Sequence, residues 1–97
     1  MSERAKDIAE VREKLGSENP GTRAAGILEL VRCGIADSVL VEPLTTDSEP
    51  FMFGMTVLVM ANAYMQLIDK ATYEGPYTGM VDAAAEDLRK EWNAYGL

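Results

Sequence analysis

The chain has 97 residues, of which 47% are hydrophobic and 26% charged, and it carries a formal net charge of −7. This composition argues against disorder and predicts a single domain over residues 1–97, large enough to bury a core without disulfides or metals. The acidic charge disfavours nucleic-acid binding, which requires clustered Lys and Arg, and favours basic protein partners.

The N-terminus and the cysteine content indicate the compartment. Cys33 is the one cysteine of the chain, so an intramolecular disulfide is excluded, as is usual for proteins of a reducing environment. The first residues are charged from Glu3 onwards and lack the apolar core of a signal peptide. We therefore expect a cytoplasmic protein in which Cys33 is a small buried residue near a helix end.

The spacing of apolar residues predicts two helices in the first third of the chain. The first helix contains residues 4–15 and stops at Gly16. The second has Asn19 as its N-cap and Pro20 at the first helical position. It ends at Gly34, because glycine readily adopts the left-handed conformation common at helix C-termini.

A third, short helix is predicted over residues 39–44, with Asp37 or Ser38 as its cap. The run Phe51–Ile68 follows, and its eighteen residues include no charged side chain. It supplies more apolar surface than any other segment. We therefore predict a central buried helix, Phe51–Asp69, that the remaining segments cover.

A membrane-spanning helix is the competing interpretation of this run, since eighteen helical residues span about 27 Å of the roughly 30 Å apolar thickness of a bilayer. Asn62 and Gln66 would then lie in hydrocarbon. Glu49 and Asp69 flank the run where basic or interfacial anchors are expected. We therefore favour the buried helix and expect no membrane association.

The predicted central helix has a weak polar side that changes along its length. At about 100° per residue, four positions share one sector: Thr56, Ala63, Gln66 and Lys70. We interpret this sector as the solvent side of the second half. In the first half, Met52, Met55 and Val59 fall in or beside the same sector. Either an earlier helix covers these three side chains, or they form an interface with a partner or a second copy.

After Lys70, a loop with two tyrosines, Tyr73 and Tyr77, precedes the last predicted helix, residues 78–95. The tyrosines either pack against the domain or form a contact patch. The last helix has an apolar stripe that includes Leu88 and Trp92, and acidic residues occupy its other face.

Two turns indicate an internal repeat. Residues 17–20 (SENP) and 47–50 (DSEP) place their prolines thirty residues apart, and each turn is expected to open a helix. In the first unit, the sequence PGTRAA at residues 20–25, followed by Leu30 and Gly34, resembles the short form of the HEAT repeat. The second unit departs from that pattern, because Phe53 stands where the arginine is expected.

The resemblance implies two stacked helix pairs, residues 3–33 and 37–70, closed by a capping helix at residues 78–95. It also implies that Arg23 reaches the turn of the next unit and pairs with Asp47 or a backbone carbonyl there. The predicted fold class is all-α: a five-helix αα-hairpin array of HEAT-like type, or an orthogonal helical bundle around a central apolar helix.

The chain has no histidine, so the usual metal-dependent and nucleophilic arrangements lack a partner, and we expect no catalytic residue, cofactor or metal. Our first hypothesis is a helical protein-protein interaction module or adaptor, without catalytic activity and able to form a homodimer. HEAT-like proteins are mostly such modules. The expected partner-binding residues are Met52, Met55, Val59, Tyr73 and Tyr77.

The alternative hypothesis is a small acidic inhibitor that occupies a basic nucleic-acid-binding groove on a target protein. Its candidate carboxylates are Asp82, Glu86, Asp87 and Glu91. Salt separates the two hypotheses, because electrostatic binding weakens steeply as ionic strength rises while apolar docking does not.

Overall fold

A computed structural model describes residues 2–95 of the chain, with side chains from Ile8 onwards. Its α-helices are α1 Ser2–Leu15, α2 Pro20–Arg32, α3 Ser38–Val41, α4 Val57–Leu67 and α5 Thr78–Tyr95. A 3-10 helix, Glu42–Thr46, follows α3, and the strands β1 Pro50–Met52 and β2 Met55–Thr56 form an antiparallel hairpin before α4. The expectation of a mainly helical protein is confirmed, and the small sheet was not predicted.

Local capping signals account for the starts of α2 and α3. The Asn19 side chain accepts hydrogen bonds from two backbone N–H groups in the first turn of α2, and Pro20 occupies the first helical position. Beyond the end of α2, Gly34 has a φ of 66°. The Asp37 side chain accepts from the N–H of Val39 and caps α3. These residues act as the sequence predicts.

The prediction of one helix over Phe51–Asp69 is wrong in its first part. Phe53 and Gly54 form a two-residue turn with φ values of 47° and 80°. Positive φ at both positions is the signature of a type I′ hairpin turn and is incompatible with a right-handed helix. Helix α4 begins only after this turn, where the Thr56 hydroxyl accepts a 3.4 Å hydrogen bond from the N–H of Val59.

The hairpin is inserted between the turn at residues 47–49 and the start of α4, which remain hydrogen-bonded to each other. The Glu49 carbonyl accepts a 3.0 Å hydrogen bond from the N–H of Val57, and the Asp47 carbonyl accepts a 2.6 Å bond from the N–H of Leu58. These bonds satisfy N–H groups that a helix start leaves unpaired. The chain therefore leaves at residue 50 and returns at residue 56 to nearly the same place.

Helix α4 lies at the centre of the fold, in contact with α2, α3, the 3-10 helix and α5. One hydrophobic cluster joins α1, α2, α3, the 3-10 helix, α4 and α5. Within it, the Tyr64 ring is fully buried, and its hydroxyl donates to the Ile35 carbonyl and accepts from the N–H of Asp37. Burial raises the pKa of the Tyr64 phenol above its ordinary value.

The interpretation of a wet side on the second half of the central helix is only partly right, because α5 packs over α4, although Lys70, beyond the end of α4, is exposed. Ala63, placed in that sector, is fully buried. Gln66 is half-buried, and its amide donates a 2.9 Å hydrogen bond to Asp82 on α5. In the described part of the chain, no helix combines the length and the apolar character needed to cross a bilayer.

Candidate functional site

An open apolar groove of about 500 Å³ lies between α2 and the β-hairpin, and we call it the hairpin groove. One wall is a stripe of α2, and the other consists of the hairpin and the start of α4. The side chains or Cα atoms of eight apolar residues line it: Gly21, Ala24, Ala25, Leu28, Phe51, Met52, Met55 and Met60.

The α2 wall follows from helical spacing. Residues 21, 24, 25 and 28 are related by i, i+3, i+4 and i+7, so they form one stripe, about 10 Å long at 1.5 Å per residue. Three of the four are glycine or alanine, which leaves the helix backbone close to the surface. Ala25 is exposed, whereas Ile27 and Leu30 on another side of α2 are fully buried in the core.

The hairpin extends this apolar surface outwards. The Met52 side chain is 54% exposed, and the adjacent Phe53, at the tip, is 97% exposed. Phe53 also has a left-handed backbone, which costs an L-residue with a bulky side chain about 1–2 kcal/mol. The stability of the fold therefore does not explain why a phenylalanine occupies position 53, since the residue buries almost no surface and its backbone is strained.

The residues predicted from the sequence to bind a partner divide into three groups. Met52 and Met55 line the hairpin groove. Val59 does not belong to this surface: it is 1% exposed, because α4 starts after the hairpin and turns this side chain into the core. Tyr73 is half-buried against the core and its hydroxyl accepts from the N–H of Tyr77, which is exposed; neither tyrosine lines the groove.

The contributions of α2, Met60 and Phe53 were missed by sequence reasoning. The i, i+3, i+4, i+7 spacing of small residues on α2 was a visible signal, but such a stripe also occurs at buried helix contacts. The Phe53-Gly54 pair was the signal for the turn, since Gly is the residue that most readily adopts positive φ.

Arg23 clamps two turns at the N-terminal end of α2. Its side chain is 9% exposed, and its Nη1 donates to the Ser17 carbonyl at 2.7 Å while Nη2 donates to the Glu49 carboxylate at 2.6 Å. Nε lies 2.9 Å from Asp47 Oδ2, but this N–H is not aligned for a hydrogen bond. The guanidinium thus joins the turn after α1 to the turn before the hairpin. Its role as a link between repeat units stays a prediction.

The same clamp gives this end of the groove a negative charge. Glu18 is exposed and adjoins Ser17, so it belongs to one of the clamped turns, while Asp47 and Glu49 belong to the other. Three carboxylates therefore accompany one guanidinium. In addition, residues 33–69, which include the whole hairpin, contain five acidic residues and no Lys or Arg.

The candidate carboxylates of α5 do not form one face. At 100° per residue, Asp82 and Glu86 lie on one side of the buried stripe, and Asp87 and Glu91 lie on the other. Glu91 is also engaged, because it forms a 2.6 Å ion pair with Arg32 of α2.

No model of a known protein family, no curated protein and no solved structure matches this chain. The basis for a functional inference is therefore the geometry and charge of the hairpin groove.

Proposed function

We propose that the protein is a small acidic interaction module that binds a protein partner in the hairpin groove. The observation that carries this proposal is the open apolar groove between α2 and the hairpin, which includes the exposed Met52, with the exposed Phe53 next to Met52 at the hairpin tip. Contiguous exposed apolar patches mark interaction sites, and backbone strain is retained where function requires it.

The lining favours a protein partner over a small molecule. Small-molecule sites combine apolar walls with a few polar groups that fix the orientation of the ligand. The residues that line this groove are all apolar. Flexible methionine side chains such as Met52, Met55 and Met60 instead adapt to the apolar side chains of another protein. The proposed role is noncatalytic.

We also infer that the helices form two HEAT-like pairs, residues 3–33 and 37–70, with α5 as the cap. Two observations support this arrangement. Arg23 binds both turns, and the 47–49 turn adjoins the start of α4 much as the 17–19 turn adjoins the start of α2. The first helix of the second pair would be α3 together with the 3-10 helix, and the hairpin would be an insertion.

The alternative, an acidic inhibitor of a nucleic-acid-binding protein, has weaker support. Its carboxylates on α5 lie on two sides of the helix, and Glu91 is already paired with Arg32. A single basic groove would contact only part of that set.

Affinity capture from the native cell with matched variants tests the proposed function. Ala25→Glu places a charge in the groove at an exposed helical position, and Val39→Glu places one at a 76% exposed position on α3, outside the groove. We expect Ala25→Glu to lose a partner that the wild type and Val39→Glu retain, also at high salt. Circular dichroism melting verifies that both variants fold. Equal capture by all three proteins would contradict the proposal, and loss of the partner at high salt would favour the inhibitor.

A further inference from the structure

The shape of the hairpin groove favours a helix as its occupant. The α2 wall is a straight stripe about 10 Å long, with small residues that let another helix backbone approach closely. An amphipathic helix fits such a stripe with side chains at i, i+3, i+4 and i+7. An added strand is a poorer fit, because β1 spans only Pro50–Met52 and β2 only Met55–Thr56.

The charge around the groove favours a cationic occupant. The clamped end has the carboxylates of Glu18, Asp47 and Glu49 and the single guanidinium of Arg23. At the other end of the α2 stripe, Arg32 is neutralised by Glu91. The groove therefore combines an apolar floor with a negative end, which complements Lys or Arg at the border of an apolar helix face.

The same charges argue against a second copy of this chain. In a twofold dimer, the surface patch of one subunit meets the identical patch of the other. Two chains, each with a net charge of −7, would then meet at a patch whose hairpin wall belongs to the segment 33–69, which has five acidic residues and no Lys or Arg. Like charges disfavour that contact at low ionic strength.

We propose that the occupant of the hairpin groove is a cationic amphipathic helix of the partner protein. This inference rests on the proposed function and specifies the partner. Apolar side chains of the helix enter between α2 and the hairpin, and basic side chains at its border face the clamped end, where the carboxylates of Glu18, Asp47 and Glu49 outnumber the single guanidinium of Arg23.

Synthetic peptides of about fifteen residues test the proposal on the intact protein. The first peptide has leucine at helical i, i+3, i+4 and i+7 positions and lysine on its other positions. The second has the same composition in scrambled order, and the third has glutamate in place of lysine. Calorimetry gives the affinities. Methyl NMR of the methionines locates the site, with Met52, Met55 and Met60 as groove reporters and Met80 on α5 as the internal control.

We expect the leucine–lysine peptide to shift the three groove methyl signals and to leave Met80 unchanged. The scrambled and glutamate peptides should bind at least about tenfold more weakly. Ala25→Glu should weaken binding by about tenfold, although it adds a negative charge that would strengthen purely electrostatic binding. Replacing Glu18, which takes no part in the Arg23 ion pairs, by Gln should weaken binding by about two- to fivefold at low salt and less at high salt.

Four results would overturn the inference. Equal binding of the scrambled peptide, or undiminished binding to Ala25→Glu, would show nonspecific charge attraction. Equal affinity for the glutamate peptide would refute the cationic preference and leave the groove as an apolar docking site. A free protein that sediments as a dimer and becomes monomeric in Ala25→Glu would identify a second copy as the occupant. Failure of the proposed function would be seen in the affinity capture instead, where wild type and Ala25→Glu would capture the same proteins.

Discussion

Replacing Phe53 by asparagine should stabilise the isolated protein and weaken partner binding. The ring of Phe53 is 97% exposed, so its removal loses almost no burial, while its φ of 47° lies in the left-handed region. That conformation costs most L-residues about 1–2 kcal/mol, whereas asparagine tolerates it. The expected gain is about 1 kcal/mol in the free energy of unfolding. For a domain of this size, it corresponds to a rise in Tm of about 4–8 °C.

Thermal and urea denaturation of Phe53→Asn measures this gain, and Val39→Asn is the control. Val39 is also strongly exposed but lies in a helix, where its backbone is relaxed, so its replacement should not raise Tm. Capture of the partner should fall in Phe53→Asn and persist in Val39→Asn. A Phe53→Asn protein that is less stable than the wild type would contradict this prediction, because it would show that the ring stabilises the fold.

Three further predictions concern the elements that hold the groove in place. Arg23→Met removes the guanidinium from three partners and leaves Asp47 largely buried without its ion pair; we expect a loss of about 2–4 kcal/mol in urea denaturation, and a loss below about 1 kcal/mol would contradict the clamp. Gly54→Ala places a Cβ atom at a φ of 80° and should cost about 1–2 kcal/mol, whereas an unchanged Tm would exclude the left-handed turn. Tyr64→Phe leaves the N–H of Asp37 and the carbonyl of Ile35 without their partner and should cost about 1–3 kcal/mol near neutral pH. Because the pKa of Tyr64 is higher in the folded protein than the ordinary value of 10.0, its contribution is complete below pH 10.0 and is lost as pH rises through the folded-state pKa. Urea unfolding near neutral pH and above pH 10.0 should therefore show that the free energy of unfolding falls less at alkaline pH in Tyr64→Phe than in the wild type. An equal fall in the two proteins would contradict a raised pKa for Tyr64.

Capping residues in the sequence correctly predicted where α2 and α3 begin. Asn19, Pro20 and Asp37 act at the starts of α2 and α3 as expected, because capping depends on neighbours in the sequence. The hairpin was missed for the opposite reason. An uncharged run such as Phe51–Ile68 satisfies helical and strand patterns equally, so its length favours a helix even though Gly54 permits a tight turn.

The surface assignments depended on tertiary packing and were only partly predictable. Ala63 was predicted on the solvent side of the central helix, and Val59 either under an earlier helix or at an interface. Both residues are buried, because the helix starts later than predicted and α5 packs over it. Met52 is exposed, as one of the two predicted alternatives requires, but it lies at the end of strand β1 rather than on a helix face. The stripe of small residues on α2 has the same spacing as a buried helix contact, so its role as a groove wall could not be predicted without knowing where the neighbouring elements lie.

Photocrosslinking shows whether a partner binds at the hairpin groove. A benzophenone amino acid is introduced at position 53, next to the groove, or at position 39 on α3 as the matched exposed control. We expect one defined adduct in the native cell from position 53. This adduct should be lost when Ala25→Glu is present in the same chain, and no such adduct should form from position 39. The absence of an adduct at position 53, or the same adduct from both positions whether or not Ala25 is replaced, would contradict a binding role for the hairpin groove.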